Sequence, residues 1–213
     1  MVSPVMVVTV MALSPVTAAA TAQAAPCSEV EVVFARGRTE PPGTGLVGQA
    51  FVDALRAKTD KNVGFYAVNY PADTEVIQGA TDMSRRIQYV AANCPDTRLV
   101  LGGYSLGAAV TDVVVAVPSP VFGYSNPLPL GMNDHIAAVA LFGNGTRKVL
   151  GPVSAISPLY GDKTIDLCTA DDPICNNNLD PNTWVDNWPA HQYGAYVGAG
   201  LVDQAAAFVA ARL

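Results

Sequence analysis

Short apolar or β-branched runs alternate along the chain with longer segments whose apolar residues recur at helical spacing. VEVVFA (30–35), VGFYAVNY (63–70), RLVLGG (98–103), HIAAVALFG (135–143) and TIDLC (164–168) read as strands. Between them, GLVGQAFVDALRAK (45–58) sets Val47, Phe51 and Leu55 four residues apart on one helix face. TEVIQGATDMSRRIQYVAANC (74–94) predicts a second helix with Thr74 as its N-cap. SLGAAVTDVVVAV (105–117) and GLVDQAAAFVAARL (200–213) are further helical segments. The alternation, with strands apolar enough to be buried on both faces, predicts a parallel sheet covered by helices. The stretch PSPVFGYSNPLPLGMND (118–134) is rich in Pro and Gly and is expected to be a surface excursion.

Composition narrows the picture. The 213 residues suit one domain with its own core. Half are hydrophobic and 14% charged, with a formal net charge of −6, so the basic stripe of a nucleic-acid binder is missing and nucleic acid is not an expected partner. The first charged side chain is Glu29. Before it, an apolar run from Val5 to Leu13, too short to span a bilayer, leads into small residues and the sequence Ala22-Gln23-Ala24. Residues 1–24 therefore read as a secretory signal peptide, although no Lys or Arg precedes the apolar run, and residues 25–213 as the mature domain of a secreted, extracellular or envelope-associated protein. The four cysteines allow three pairings. Cys168 and Cys175 bracket a short loop, which favours that pair and leaves Cys27 with Cys94, as suits an exported chain. No C-x-x-C is present and both histidines lie elsewhere, so the cysteines do not read as a zinc site.

One motif carries chemistry. Gly103-Tyr104-Ser105-Leu106-Gly107 follows a predicted buried strand and opens a helical pattern, the setting in which G-x-S-x-G turns a serine hydroxyl up above a sheet edge. The chain holds its own control: Gly123-Tyr124-Ser125 repeats the first residues, but lies in the Pro-rich excursion with no strand before it and no helix after it. A serine nucleophile needs a general base, usually a histidine oriented by a carboxylate. His135 opens a predicted strand at the wrong edge of the sheet, so His191, in a late loop, is the base by elimination. The acid falls after the last strand. Asp171 and Asp172 sit between Cys168 and Cys175, with Asp180 and Asp186 beyond, and spacing leaves the choice open.

These residues resemble the cutinases, in particular the cutinase-like serine esterases secreted by actinobacteria. The likeness runs from Cys27 to the C-terminus and rests on VVFARGRTEPPGTGLVGQAF, on GYSLGA, on the frame Cys168, Asp172, Cys175, and on the final histidine before the last helix. It implies a three-layer α/β-hydrolase with a central, mainly parallel five-stranded sheet and no large lid. It also implies Ser105 as nucleophile, Asp172 as acid, His191 as base, and disulfides Cys27–Cys94 and Cys168–Cys175. The oxyanion hole falls to the backbone amides of Arg38 and Leu106, where fungal members carry serine and glutamine. Without the serine hydroxyl as an added donor, esterase activity is expected, with weak action on cutin polymer.

The expected reaction is hydrolysis of short-to-medium acyl esters through an acyl-enzyme, with no metal or organic cofactor. Trp184, Val185 and Trp188, together with Leu128 and Leu130, are candidates for the apolar wall that meets the substrate. Partners reduce to ester or lipid substrate, with transient contact to a lipid interface and a monomeric chain. The same residues leave room for an acetylxylan esterase, for a phospholipase or thioesterase, and for an exported non-catalytic binding or surface protein.

Overall fold

The computed structural model describes residues 27–121 and 123–213. The leader expected over 1–24 lies outside the described residues. Five strands, β1 (Val30–Ala35), β2 (Val63–Ala67), β3 (Arg98–Tyr104), β4 (Ile136–Phe142) and β5 (Thr164–Leu167), form one sheet in the order β2-β1-β3-β4-β5, with every pair parallel. The main helices are α1 (Gly45–Arg56), α2 (Val76–Asn93) and α3 (Leu106–Ala116). Short turns α4 (Arg147–Leu150), α5 (Val153–Ile156) and α6 (Trp184–Asn187) follow, then α7 (Tyr193–Gly198) and α8 (Leu201–Ala210). Among the described residues no helix is long and apolar enough to cross a membrane.

The unbroken apolar runs of β1, β3 and β4 occupy the sheet centre, where both faces are covered. Successive residues of β1 go to opposite sides. Val33 and Ala35 join a core with Met83 and Ile87 of α2 and Val110 and Val114 of α3. Val32 and Phe34 join another with Phe51 and Leu55 of α1 and Val202 and Val209 of α8. Layers of helix, sheet and helix result. Glu31, 7% exposed within β1, is held by the guanidinium of Arg86 at 2.7 and 2.5 Å, which satisfies a carboxylate that would otherwise be costly to bury.

Expected boundaries differ at both ends of the β2–α2 connection. The second strand ends at Ala67 rather than 70, one further backbone bond running from Val68 N–H to the Phe34 carbonyl before the chain leaves the sheet. Helix α2 starts at Val76, with Glu75 rather than Thr74 at the cap and no side-chain capping bond. Thr74 lies one residue outside, where its N–H is taken by the Asp73 carboxylate. The 118–134 excursion holds an isolated bridge between Val121 and Tyr124 and a turn of 3-10 helix over Met132–Asp134.

All strands being parallel, their carboxyl ends share one edge. The chain leaves β1 toward β2 on one side and returns to β3 on the other, so the order reverses between β1 and β3. At that point the β1–α1 loop and the β3–α3 turn diverge and leave a crevice.

Candidate active site

Ser105 sits on the turn between β3 and α3 with φ 54° and ψ −116°, one of three non-glycine residues at positive φ among those described. A β-carbon resists this backbone conformation, so the surroundings must hold it in place. The flanking glycines make that possible. A methyl on Gly103 would lie 2.1 Å from the Gly107 carbonyl oxygen, and one on Gly107 would lie 1.9 Å from that of Ala35. Ser105 N–H is anchored to the Phe142 carbonyl at 2.8 Å. Its control, Ser125, is an exposed loop residue.

Against the serine lies His191, its Nε2 2.8 Å from Ser105 Oγ and its Nδ1 2.6 Å from Asp172 Oδ2. His191 ends a 3-10 turn over Trp188–His191 and is 3% exposed; Asp172 is fully buried. The Cys168–Cys175 disulfide follows β5 and closes a loop around Asp172, whose Oδ1 accepts the N–H of Ile174 at 2.7 Å. Thr169, in the same loop, donates its hydroxyl to the Ala190 carbonyl at 2.7 Å, tying the acid's loop to the histidine's turn. Asp171, Asp180 and Asp186 are exposed, and His135 lies at the amino-terminal end of β4, away from the crevice. The second disulfide joins Cys27 and Cys94. Cys168, Asp172 and Cys175 are the one grouping of metal-ligand atoms among the described residues, but the two sulfurs are bonded to each other and present no thiolate.

The crevice has a volume of about 600 Å³ and includes Ser105, His191, Arg38 and Leu106 in its walls. Leu106 is the first residue of α3, so its N–H has no acceptor a turn earlier in the helix. Arg38 lies in a loop pinned by Glu40, whose carboxylate accepts Gly37 N–H at 2.6 Å and, from the start of α1, Leu46 and Val47 N–H at 2.8 and 3.1 Å. Trp184 and Trp188 stack with ring centroids 6.0 Å apart and line the opposite wall with Ile174 and Tyr193. The structure separates the other apolar candidates from them. Val185 is 79% exposed and does not line the crevice, because it takes the outer side of the short α6 turn. Leu128 and Leu130 border a separate depression of about 320 Å³ near the far end of α3.

Two residues with no role expected from the sequence brace His191 and Asp172. Tyr104, the variable position of G-x-S-x-G, stacks on the His191 ring at 5.3 Å and donates its hydroxyl to the His191 carbonyl. Tyr196 of α7 is fully buried and donates to Asp172 Oδ2. Burial, then the charge of Asp172, drives the Tyr196 phenol far above its ordinary range; burial and then Glu40 and Asp172 do the same for Tyr104. Both are fixed neutral donors. In sequence Tyr196 is only an aromatic in the stretch after His191 that reads as loop, and core packing explains such a residue equally well.

With this geometry in place, the comparisons are specific. The sequence model of the family described as Cutinase matches residues 26–213. Probable carboxylesterase Culp2 of Mycobacterium tuberculosis is 60% identical over 215 residues, covering 98% of this chain and 92% of the relative. Phospholipase Culp4 of the same species is 51% identical over 190 residues, covering 88% and 80%. Among solved structures, Trichoderma reesei cutinase bound to a phosphonate inhibitor superposes with a TM-score of 0.61 at 29% identity, covering 86% of this chain and 76% of that one. With a family match along the whole described chain and a relative at this identity, the chain belongs to the cutinase family.

Proposed function

We propose that this cutinase-family carboxylic ester hydrolase is a secreted serine esterase that cleaves short-to-medium acyl esters through Ser105, His191 and Asp172. The observation that carries the reading is the continuous chain Asp172 Oδ2, His191 Nδ1, His191 Nε2, Ser105 Oγ, at 2.6 and 2.8 Å, opening into an apolar crevice.

In this mechanism His191 Nε2 takes the Ser105 proton as Oγ bonds to the ester carbonyl carbon, and Asp172 stabilises the imidazolium. The carbonyl oxygen becomes an oxyanion facing the N–H groups of Arg38 and Leu106. The tetrahedral adduct collapses, His191 returns the proton to the departing alcohol, and the acyl group stays on Ser105. A water molecule then gives its proton to His191 and attacks the acyl carbon. The second adduct releases the carboxylic acid, and Ser105 recovers its proton from His191.

Further support comes from the crevice mouth. Leu46, Trp184 and Trp188 are 48%, 44% and 42% exposed there, which suits a monomer meeting ester or lipid substrates with transient contact to a lipid surface. Export to an extracellular or envelope location agrees with two disulfides in a chain without free cysteines among the described residues. A phospholipase reading draws on Culp4, the 51% identical relative that bears that name.

The test is a series of p-nitrophenyl esters from acetyl to palmitoyl, run beside acetylated xylan and a diacyl phospholipid. The reading expects the highest kcat/KM between butyryl and octanoyl esters. In Trp184→Ala, the longer of these should lose about tenfold while the acetyl ester changes little. A preference for acetylated xylan or phospholipid over every p-nitrophenyl ester would replace the substrate class.

A further inference from the structure

Resting on the Ser105–His191–Asp172 reading, we propose that Tyr196 is a positioning residue whose phenol holds the Asp172 carboxylate in line with His191. Three contacts hold the buried carboxylate. Asp172 Oδ1 accepts the Ile174 N–H at 2.7 Å. Oδ2 faces His191 Nδ1 at 2.6 Å and also accepts the Tyr196 hydroxyl at 2.5 Å. One oxygen therefore serves both the base and a fixed neutral donor. The phenol stops the carboxylate from rotating away.

The placement of the phenol is built rather than incidental. The ring packs edge-on against Tyr104 at 5.6 Å and Phe142 at 6.3 Å, so it cannot swing out. Gly143, at φ 59°, passes close behind: a methyl there would lie 2.9 Å from both the Tyr196 hydroxyl and His191 Cε1. Tyr104, against which Tyr196 packs, holds the His191 carbonyl and stacks on its ring. One tyrosine thus locates the acid and the other the base, with their rings in contact.

Tyr196 comes from α7, Tyr104 from β3, Ser105 from the elbow, and Glu40 acts on Tyr104 from the β1–α1 loop. Both phenols stay protonated through the working range and so remain hydrogen-bond donors. Removing the Tyr196 hydroxyl leaves the carboxylate held only by the Ile174 N–H and His191 Nδ1, free to turn out of line with the imidazole.

Tyr196→Phe tests this, because it keeps the ring and removes the donor. With p-nitrophenyl butyrate, kcat is expected to fall about tenfold with KM within about twofold. In an Asp172→Asn background the same substitution should add less than about a twofold loss, since its effect passes through the carboxylate. A Tyr196→Phe protein that is folded by circular dichroism, with unaltered kcat, would overturn the role. So would a full multiplicative loss in the Asp172→Asn background. Ser105→Ala, run alongside, separates the two levels: if it keeps activity the triad reading fails, whereas if it is inactive and Tyr196→Phe is unaltered only the role of Tyr196 fails.

Discussion

Gly107 of α3 and Ala35 at the end of β1 approach so closely that a methyl on the glycine would lie 1.9 Å from the Ala35 carbonyl oxygen. The contact clamps the turn that carries Ser105 against the strand that leads to Arg38. Ser105 and the Arg38 loop are thereby held in one frame, and neither glycine of the elbow can take a side chain without moving backbone.

Gly107→Ala is therefore expected to lose at least about tenfold in kcat and to destabilise the protein by about 1–3 kcal/mol, the cost of overpacking a rigid contact. Ser125→Ala, in the exposed loop, should match wild type in both respects. Thermal unfolding and initial rates on p-nitrophenyl butyrate check the pair.

The two disulfides should separate in effect. Cys27–Cys94 closes a span of 67 residues and lies remote from the triad, so replacing both cysteines by serine should cost about 4 kcal/mol of stability by loop-closure entropy and leave kcat of the folded protein unchanged. Cys168–Cys175 spans only 7 residues, so the entropic cost is smaller, about 2–3 kcal/mol, but the loop holds Asp172. Its removal should lower kcat about tenfold or more while leaving KM nearly unchanged. Denaturant unfolding and steady-state kinetics of the two double-serine variants measure both quantities.

Stability should depend on pH through Asp166. Its side chain is 10% exposed, and burial raises its carboxyl to about 6; Arg147 works against the shift and Asp112 adds to it. Asp112 is itself raised, mainly by burial, while hydrogen bonds from Thr146 and Asn144 oppose the rise. A raised carboxyl is protonated in the fold at pH values where the unfolded chain is already charged. Its favourable contribution is complete below about pH 4 and is lost as pH rises through about 6. Asp166→Asn should thus gain on wild type by up to about 3 kcal/mol between about pH 4 and about pH 8. Urea titrations of both proteins across that window give the difference, and parallel curves would contradict it.

Much of the fold was legible because buried parallel strands must be apolar on both faces. VEVVFA and IAAVALF could hardly sit elsewhere, and both are buried at every position in the sheet centre. The edge was harder: VGFYAVNY continues an apolar pattern past Ala67, but Val68 and Tyr70 serve the helix-side core after the chain has left the sheet. At the site, G-x-S-x-G and the cysteine-framed aspartates were visible because a strained turn and a short covalent loop constrain residue types locally. The choice of Asp172 over Asp171 needed the family resemblance, since adjacent aspartates look alike until the fold buries one and exposes the other. Tyr196, Tyr104 and Glu40 were not legible as site residues. Each acts through a partner fixed by tertiary packing, and nothing local distinguishes such a tyrosine from a core one. Val185 was misjudged for a related reason: it lies next to Trp184 in sequence, but a helical turn sends neighbours to different sides.

The most direct test of the central claim joins activity to chemical labelling. Wild type and Ser105→Ala are assayed on p-nitrophenyl butyrate, then treated with an alkyl phosphonate ester and digested for mass spectrometry. The account predicts loss of at least about 1000-fold in kcat for Ser105→Ala. It also predicts one phosphonyl group on Ser105 of the wild type and none on the variant. Equal activity of the two proteins, or label on Ser125 with Ser105 unmodified, would contradict it.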